Sequence, residues 1–284
     1  MIPSRFLLGV DSDGTAFDSV NPKHLEAFIP AALEIWSMDG EVSEKFIEIY
    51  KEINLFSSLR GTNRFPALLE TFERLEQCFP EVPDLPNLQP LRDFVAGASR
   101  YSTSSLQEWM TKHPSSELSR VLAWSIRSNV LIARACEGLM PYDGVKDALK
   151  AAGKSAAVAV ISAASREELE KDWVFGGLMR HVDILMGQED GPKAEQLKKA
   201  MTLSGATQAL MVGDANQDLV AARKADIRFY PIIPGKEAEC WRQFREDVLP
   251  LFLEGKYGPA QEAEYTACLQ EAVRQGNSPA EEGT

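Results

Sequence analysis

The sequence predicts an α/β fold, a parallel sheet core interrupted by a long all-helical insertion. Three observations carry this expectation. Short apolar runs without alternation recur at 6–10 (FLLGV), 156–161 (AAVAVI), 182–186 (VDILM), 209–212 (ALMV) and 227–233 (IRFYPII). Strands buried on both faces read this way. Helical patterns at about 143–152, 165–171, 193–203 and 216–224 alternate with the last four runs, and strand–helix alternation builds a parallel sheet. Between the first and second runs lies a stretch of over a hundred residues that reads almost entirely as helix.

The first strand, 6–10, stops abruptly at Asp11-Ser12-Asp13-Gly14-Thr15, where Gly14 suits a sharp turn. Residues 17–140 then form the helical domain. Asn21-Pro22 reads as a helix cap followed by proline at the first helical position. The proline-rich segment 81–90 (EVPDLPNLQP) reads as a loop, and Leu118, Val121, Leu122 and Ile126 recur at the spacing of one long helix. The Trp, Tyr and Met residues of this domain are expected in its core. Residues 1–16 and 141–234 make up the sheet domain, Rossmann-like in its alternation, so ligands are expected beyond the carboxyl ends of its strands. Residues 235–284 read as a helical extension packing on that core, with a frayed tail (QGNSPAEEGT).

With 284 residues, 44% hydrophobic and 25% charged, the chain has the texture of a globular protein able to bury a core and a second, smaller unit. A net charge of -12 argues against nucleic acid as a partner, which calls for clustered Lys and Arg. It leaves room for a small anion, because a bound cation and a few basic side chains make one pocket positive. No apolar run reaches the roughly 18 residues of a membrane span, and the N-terminus lacks the pattern of a signal peptide. Cys78, Cys136, Cys240 and Cys268 are scattered without metal-ligand spacing, as expected of reduced thiols in a cytoplasmic protein. His24, His113 and His181 lie far apart in sequence and read as structural or exposed rather than as ligands.

The chemistry concentrates after the strands. In a strand, Asp11 and Asp13 point to one side, where like charges repel unless a cation intervenes. Mg²⁺, with its preference for oxygen ligands, resolves the conflict. One carboxylate then serves as a nucleophile and the other as an acid and base, as phosphoryl transfer requires. Taken alone, an acidic turn with glycine is also a common surface feature. Gly213-Asp214-Ala215-Asn216-Gln217-Asp218 follows the strand at 209–212. Asp214 and Asp218, about one helical turn apart, face one site as metal ligands or their supports, although Asp214 also suits a helix cap. Ser162 ends AVAVIS, where a hydroxyl can hold a phosphate oxygen near a helix N-terminus or simply close a turn. Lys193 falls in the first turn of a helix, where the macrodipole disfavours a cation. Neutralising a nucleophile and a phosphate would use that charge.

Together these four pieces resemble the haloacid dehalogenase superfamily. Asp11 through Thr15 match its first motif, a hydrophobic strand followed by DxDGT. Ser162 matches the second, Lys193 the third, and Asp214 with Asp218 the GDxxxD form of the fourth. Residues 139–145 (LMPYDGV) resemble the re-entry segment after an inserted cap. The resemblance implies an Mg²⁺-dependent phosphohydrolase. Asp11 attacks phosphorus and binds the metal, and Asp13 acts as acid and base while its carbonyl contacts the metal. Ser162 and Lys193 hold the phosphoryl group, Asp214 is a ligand, Asp218 orients a metal water or Lys193, and Thr15 holds the first turn. An aspartate at position 13 is typical of phosphoryl-transferring members and usually absent from halide- and phosphonate-cleaving ones. Ala16 stands where a larger apolar residue is usual, and the insertion is longer than the compact four-helix cap of phosphoglycolate phosphatase relatives, so no substrate is carried over from them.

In the insertion, Ser58-Leu59-Arg60-Gly61-Thr62-Asn63-Arg64 presents two arginines four residues apart. Arg60 and Arg64 are candidate grips on the leaving group of the substrate, and equally what a solvated loop and helix start contain. The leading expectation is a phosphatase of a small phosphorylated metabolite, monomer or homodimer. The alternatives are a phosphomutase, a phosphonate- or halide-cleaving relative, and an idle binding module on the same fold.

Overall fold

A computed structural model describes residues 4–57, 59–80 and 85–275. The chain divides into two compact units, Met1–Ser19 with Gly138–Thr284, and Val20–Glu137.

In the first unit, β1 (Phe6–Val10) lies at the centre of a sheet whose strands are all parallel. The order is β3-β2-β1-β4-β5, with β2 Ala156–Ile161, β3 Ile184–Met186, β4 Gln208–Gly213 and β5 Arg228–Pro231. Phe6 is in register with Ala156 on one side and with Gln208 on the other. Two of the strand segments are shorter than the apolar runs that mark them, 182–186 and 227–233. Asp183 instead turns its carboxylate back to accept from Val158 N.

Pleating sends Phe6, Leu8 and Val10 into one apolar layer and Leu7 into the other. The helices α7 (Val145–Ala152) and α8 (Arg166–Phe175) cover the first layer. The second is covered by α9 (Lys193–Ser204) and α10 (Asn216–Lys224). Burial on both faces explains why the strands read as unbroken apolar runs.

The C-terminal segment belongs to this unit. Its helices are α11 (Glu237–Gln243), a π-helical turn at Phe244–Val248, α12 (Leu249–Leu253) and α13 (Pro259–Gln275). It closes the free edge of β5, where the Glu262 carboxylate accepts from Phe229 N and Tyr257 Oη–H donates to Phe229 O. An open edge strand would otherwise leave these groups unpaired. The expected frayed tail lies outside the described residues, apart from Gln275 at the end of α13.

Among the described residues, the regular elements of the second unit are all helices. A π-helical segment Pro22–Phe28 leads into α1 (Ile29–Trp36). There follow α2 (Gly40–Leu55), α3 (Arg64–Cys78), α4 (Gln89–Gly97), α5 (Thr103–Lys112) and α6 (Ser116–Ala135). Asn21 is not the cap its sequence suggests. Residues 20 and 21 are already helical, so Asn21 has φ −60° and ψ −51° and its side chain caps nothing. Caps are made by Asn63, Ser102 and Ser115 at α3, α5 and α6. The buried stripe of α6 includes Leu118, Val121, Trp124 and Ile132. Ile126, expected on that stripe, faces outward. Of the proline-rich loop, residues 81–84 lie outside the described residues, and α4 begins at Gln89.

Candidate active site

The carboxyl ends of β1, β2 and β4 carry the site. β1 stops at Val10, so Asp11 and Asp13 lie beyond the strand and the expected in-strand geometry does not apply. Gly14 (φ 72°) and a set of bonds to Ser12 O shape the turn that follows, with Ala16 N and Phe17 N donating at 2.9 and 3.1 Å. The two carboxylates find different partners. Asp11 is buried and its Oδ2 lies 2.9 Å from Lys193 Nζ. Asp13 is half-buried, and its Oδ1 accepts from Ser19 Oγ.

Lys193 opens α9 and reaches Asp218 Oδ1 at 2.6 Å as well as Asp11. Asp218 is 0% exposed. Its other oxygen accepts from Ala215 N at 3.1 Å, which tightens the start of α10. Gly213 makes this possible, because a Cβ there would lie 2.5 Å from Asp218 Cβ. Ala215, not Asp214, occupies the cap position of α10. Asp214 instead accepts from Thr15 Oγ1 at 3.0 Å. Oxygens of Asp11, Asp214 and Asp218 all lie within 4.8 Å of one another.

Electrostatics follow from burial. Desolvation pushes the Asp11 carboxyl well above the usual range, with Lys193 opposing and Asp218 and Asp214 adding to the rise. Desolvation raises Asp218 likewise, again against Lys193. Burial works against the Lys193 ammonium, but Asp11 and Asp218 outweigh it and hold the amine protonated. Three buried carboxylates facing one ammonium leave negative charge in excess, which is the environment a hard cation relieves.

The fold thus brings two bonded groups together, Asp11–Lys193–Asp218 and Thr15–Asp214, with their carboxylate oxygens within 4.8 Å of one another. Ser162 is buried at the end of β2, and its Oγ accepts from Ala164 N at 3.1 Å. The cap of α8 is Ser165 rather than Ser162. Arg60 and Arg64 belong to the helical unit. Arg60 is buried and its Nη1 donates to Leu55 O, while Arg64 stacks over the Phe28 ring at 4.9 Å and donates to Asn129. Ser58, grouped with them in sequence, lies outside the described residues.

Residues 101–232, which contain Ser162, Lys193, Asp214 and Asp218, match the family of haloacid dehalogenase-like hydrolases. No curated protein sequence matches the chain. Among solved structures, a predicted phosphoglycolate phosphatase from Haemophilus somnus 129PT is 15% identical with a TM-score of 0.53, covering 81% of this chain and 85% of that one. A provisionally assigned phosphoglycolate phosphatase from Lactobacillus delbrueckii subsp. bulgaricus is 17% identical with a TM-score of 0.48, covering 91% and 100%. A predicted phosphatase from Clostridium acetobutylicum is 15% identical with a TM-score of 0.47, covering 81% and 84%. The first of these likenesses supports the fold.

Several supports of the site escape sequence reasoning. Trp173 Nε1 donates to Ser12 Oγ at 3.0 Å, and Trp241 Nε1 to Thr15 O at 2.8 Å. Both indoles are fully buried, and a tryptophan in a core needs a partner for its N–H; that need is the one hint the sequence offers. Trp241→Phe keeps an aromatic ring but removes the indole N–H and orphans the Thr15 carbonyl. It is expected to cost roughly 1–3 kcal/mol in urea unfolding. Among the described residues no helix is long and apolar enough to cross a membrane.

Proposed function

We propose that this protein is a haloacid dehalogenase-like phosphatase of small phosphorylated metabolites that works through an aspartyl-phosphate on Asp11. The observation that carries the reading is the cluster of buried carboxylates around Lys193. A buried carboxylate at a strand end is paired with a protonated lysine and joined by two further carboxylates, with a separate carboxylate, Asp13, two residues on. The all-oxygen donor set of Asp11, Asp214 and Asp218 fits Mg²⁺, and the Asp13 carbonyl is proposed to join it. Bound there, Mg²⁺ supplies charge to the phosphoryl oxygens.

The protein's own groups divide the work. Asp11 attacks phosphorus, and the bond from phosphorus to the ester oxygen breaks. Asp13 gives its proton to the departing alkoxide. Asp13 then takes a proton from water, which attacks the aspartyl-phosphate and releases inorganic phosphate and free Asp11. Lys193 and Ser162 hold the phosphoryl oxygens throughout. Thr15 keeps Asp214 and the turn in place, and Asp218 orients Lys193. The helical unit is proposed as the substrate-selecting cap, with Arg60 and Arg64 its candidate contacts. Four free cysteines agree with a cytoplasmic setting.

The test is phosphate release from a broad panel of phosphorylated metabolites, with and without Mg²⁺, beside Asp13→Asn. Mg²⁺-dependent release from a small set, lost in the variant, supports the proposal. Binding of Mg²⁺ without release from any ester turns the reading towards a phosphomutase, a phosphonate-cleaving enzyme or an idle module. A second expectation concerns stability. Mg²⁺ at about 100-fold its dissociation constant raises unfolding free energy by roughly 2.7 kcal/mol. Thermal unfolding with Mg²⁺ or EDTA checks this, and an equal gain in Asp214→Asn would argue against the carboxylate cluster as its site.

A further inference from the structure

Gln196 lies one turn into α9 and is fully buried. Its Oε1 accepts from Ser162 N at 3.0 Å. Its Nε2 donates to Ser162 O at 2.8 Å, Gly187 O at 2.9 Å and Gly191 O at 2.8 Å. These neighbours fix the amide's orientation, since a flip would set its oxygen against three carbonyl oxygens. All the partner atoms are backbone, and they come from only two loops. One is the turn after β2 that carries Ser162. The other runs from β3 into Lys193.

The same loops touch directly. Ser162 N also donates to Met186 O at 3.2 Å, and Gln188 N to Ala164 O at 2.8 Å. Gly187 allows that approach, because a Cβ there would lie 2.9 Å from both Ala164 O and Arg166 N. An apolar side chain would fill the space under α9 without the cost of burying an amide. A buried amide with all its bonds satisfied instead rigidifies what it joins. Lys193 and Gln196 are three residues apart on one helix, and so neighbours on its surface.

We propose that Gln196 is a positioning residue that sets the spacing between Ser162 and Lys193 and so fixes the cradle for the phosphoryl group. The proposal rests on the phosphatase reading for the identity of the bound anion. Removing the amide lets the Ser162 turn and the Lys193 loop drift apart while the carboxylates, held by other loops, stay in place. Anion binding then suffers and cation binding does not.

The experiment uses the full chain as wild type, Gln196→Met and Gln196→Glu. Calorimetric titration measures inorganic phosphate binding in Mg²⁺ and Mg²⁺ binding alone, and steady-state kinetics use whichever ester the wild type hydrolyses. Gln196→Met is expected to lower kcat/KM by about 10²-fold, the scale of an ångström-sized misplacement. Phosphate affinity should fall at least about tenfold, with Mg²⁺ affinity within about twofold of wild type. Gln196→Glu keeps the acceptor for Ser162 N but sets a charge against three carbonyls, and is expected to lose as much. Phosphate affinity and kcat/KM close to wild type in either folded variant would overturn the proposal. Equal loss of Mg²⁺ and phosphate binding, or failure of both variants to fold, would make Gln196 a structural residue and overturn it too. Phosphate binding needs no turnover, so a wild type that hydrolyses nothing defeats the phosphatase reading and leaves the Gln196 comparison readable.

Discussion

Asp11→Asn is expected to lower kcat by roughly 10⁵-fold or more, the scale seen when a covalent nucleophile is removed, while the metal-free protein stays folded. The second half of this expectation follows from burial. Burial pushes the Asp11 carboxyl up, so its charged form is disfavoured in the metal-free protein. A neutral amide of the same shape removes that penalty, and Lys193 keeps Asp218 as a partner. Metal-free Asp11→Asn should therefore unfold at the same temperature as wild type or higher. The sign extends to pH. A carboxyl raised in the folded state binds more protons there than in the unfolded chain, so its contribution falls as pH rises above about 4. Metal-free wild type should lose stability across that range more steeply than Asp11→Asn. Single-turnover kinetics and thermal unfolding in EDTA check both parts. Turnover within about tenfold of wild type would remove Asp11 as the nucleophile.

Lys193→Met carries the largest expected stability effect. Its ammonium, only 16% exposed, is in contact with both Asp11 and Asp218. Taking it away leaves two buried carboxylates without a counter-charge, a change that costs roughly 3–5 kcal/mol. The cost is greatest at neutral pH in EDTA. It shrinks in acid, where the two carboxyls protonate, and Mg²⁺ offsets part of it. Urea unfolding at neutral and acidic pH with and without Mg²⁺ measures all three. A loss independent of pH would mean that the lysine stem, rather than its charge, supports the fold. On the proposed role of Lys193 in holding the phosphoryl oxygens, turnover should be lost as well.

The legible parts of this molecule are those whose signal is local. Strands at 6–10 and 156–161 declare themselves because both faces are buried, and Asp11, Asp214 and Lys193 stand out because each follows a strand end or opens a helix. Gln196 and Trp241 do not, because each bonds backbone atoms and any residue type supplies those. The Trp241–Thr15 bond joins positions 226 apart in sequence, beyond the reach of any periodicity. Asn21 misleads for a related reason. Asn-Pro is a sound starting signal, but the helix has already begun when it arrives. Ile126 has the right spacing for the buried stripe of α6, and neighbouring Trp124 and Ser125 take that face instead.

The bond from Trp241 to Thr15 also bears on when the molecule becomes itself. A chain leaving the ribosome exposes the turn at residues 11–15 before the indole that ties down that turn, which follows more than two hundred residues later. The central strand waits as well, since β1 is completed only by pairing with β4. The turn therefore gains this support only once residues beyond the last strand have been made. A chain cut after residue 234 keeps every strand, yet it leaves the Thr15 carbonyl and the rim of β5 bare.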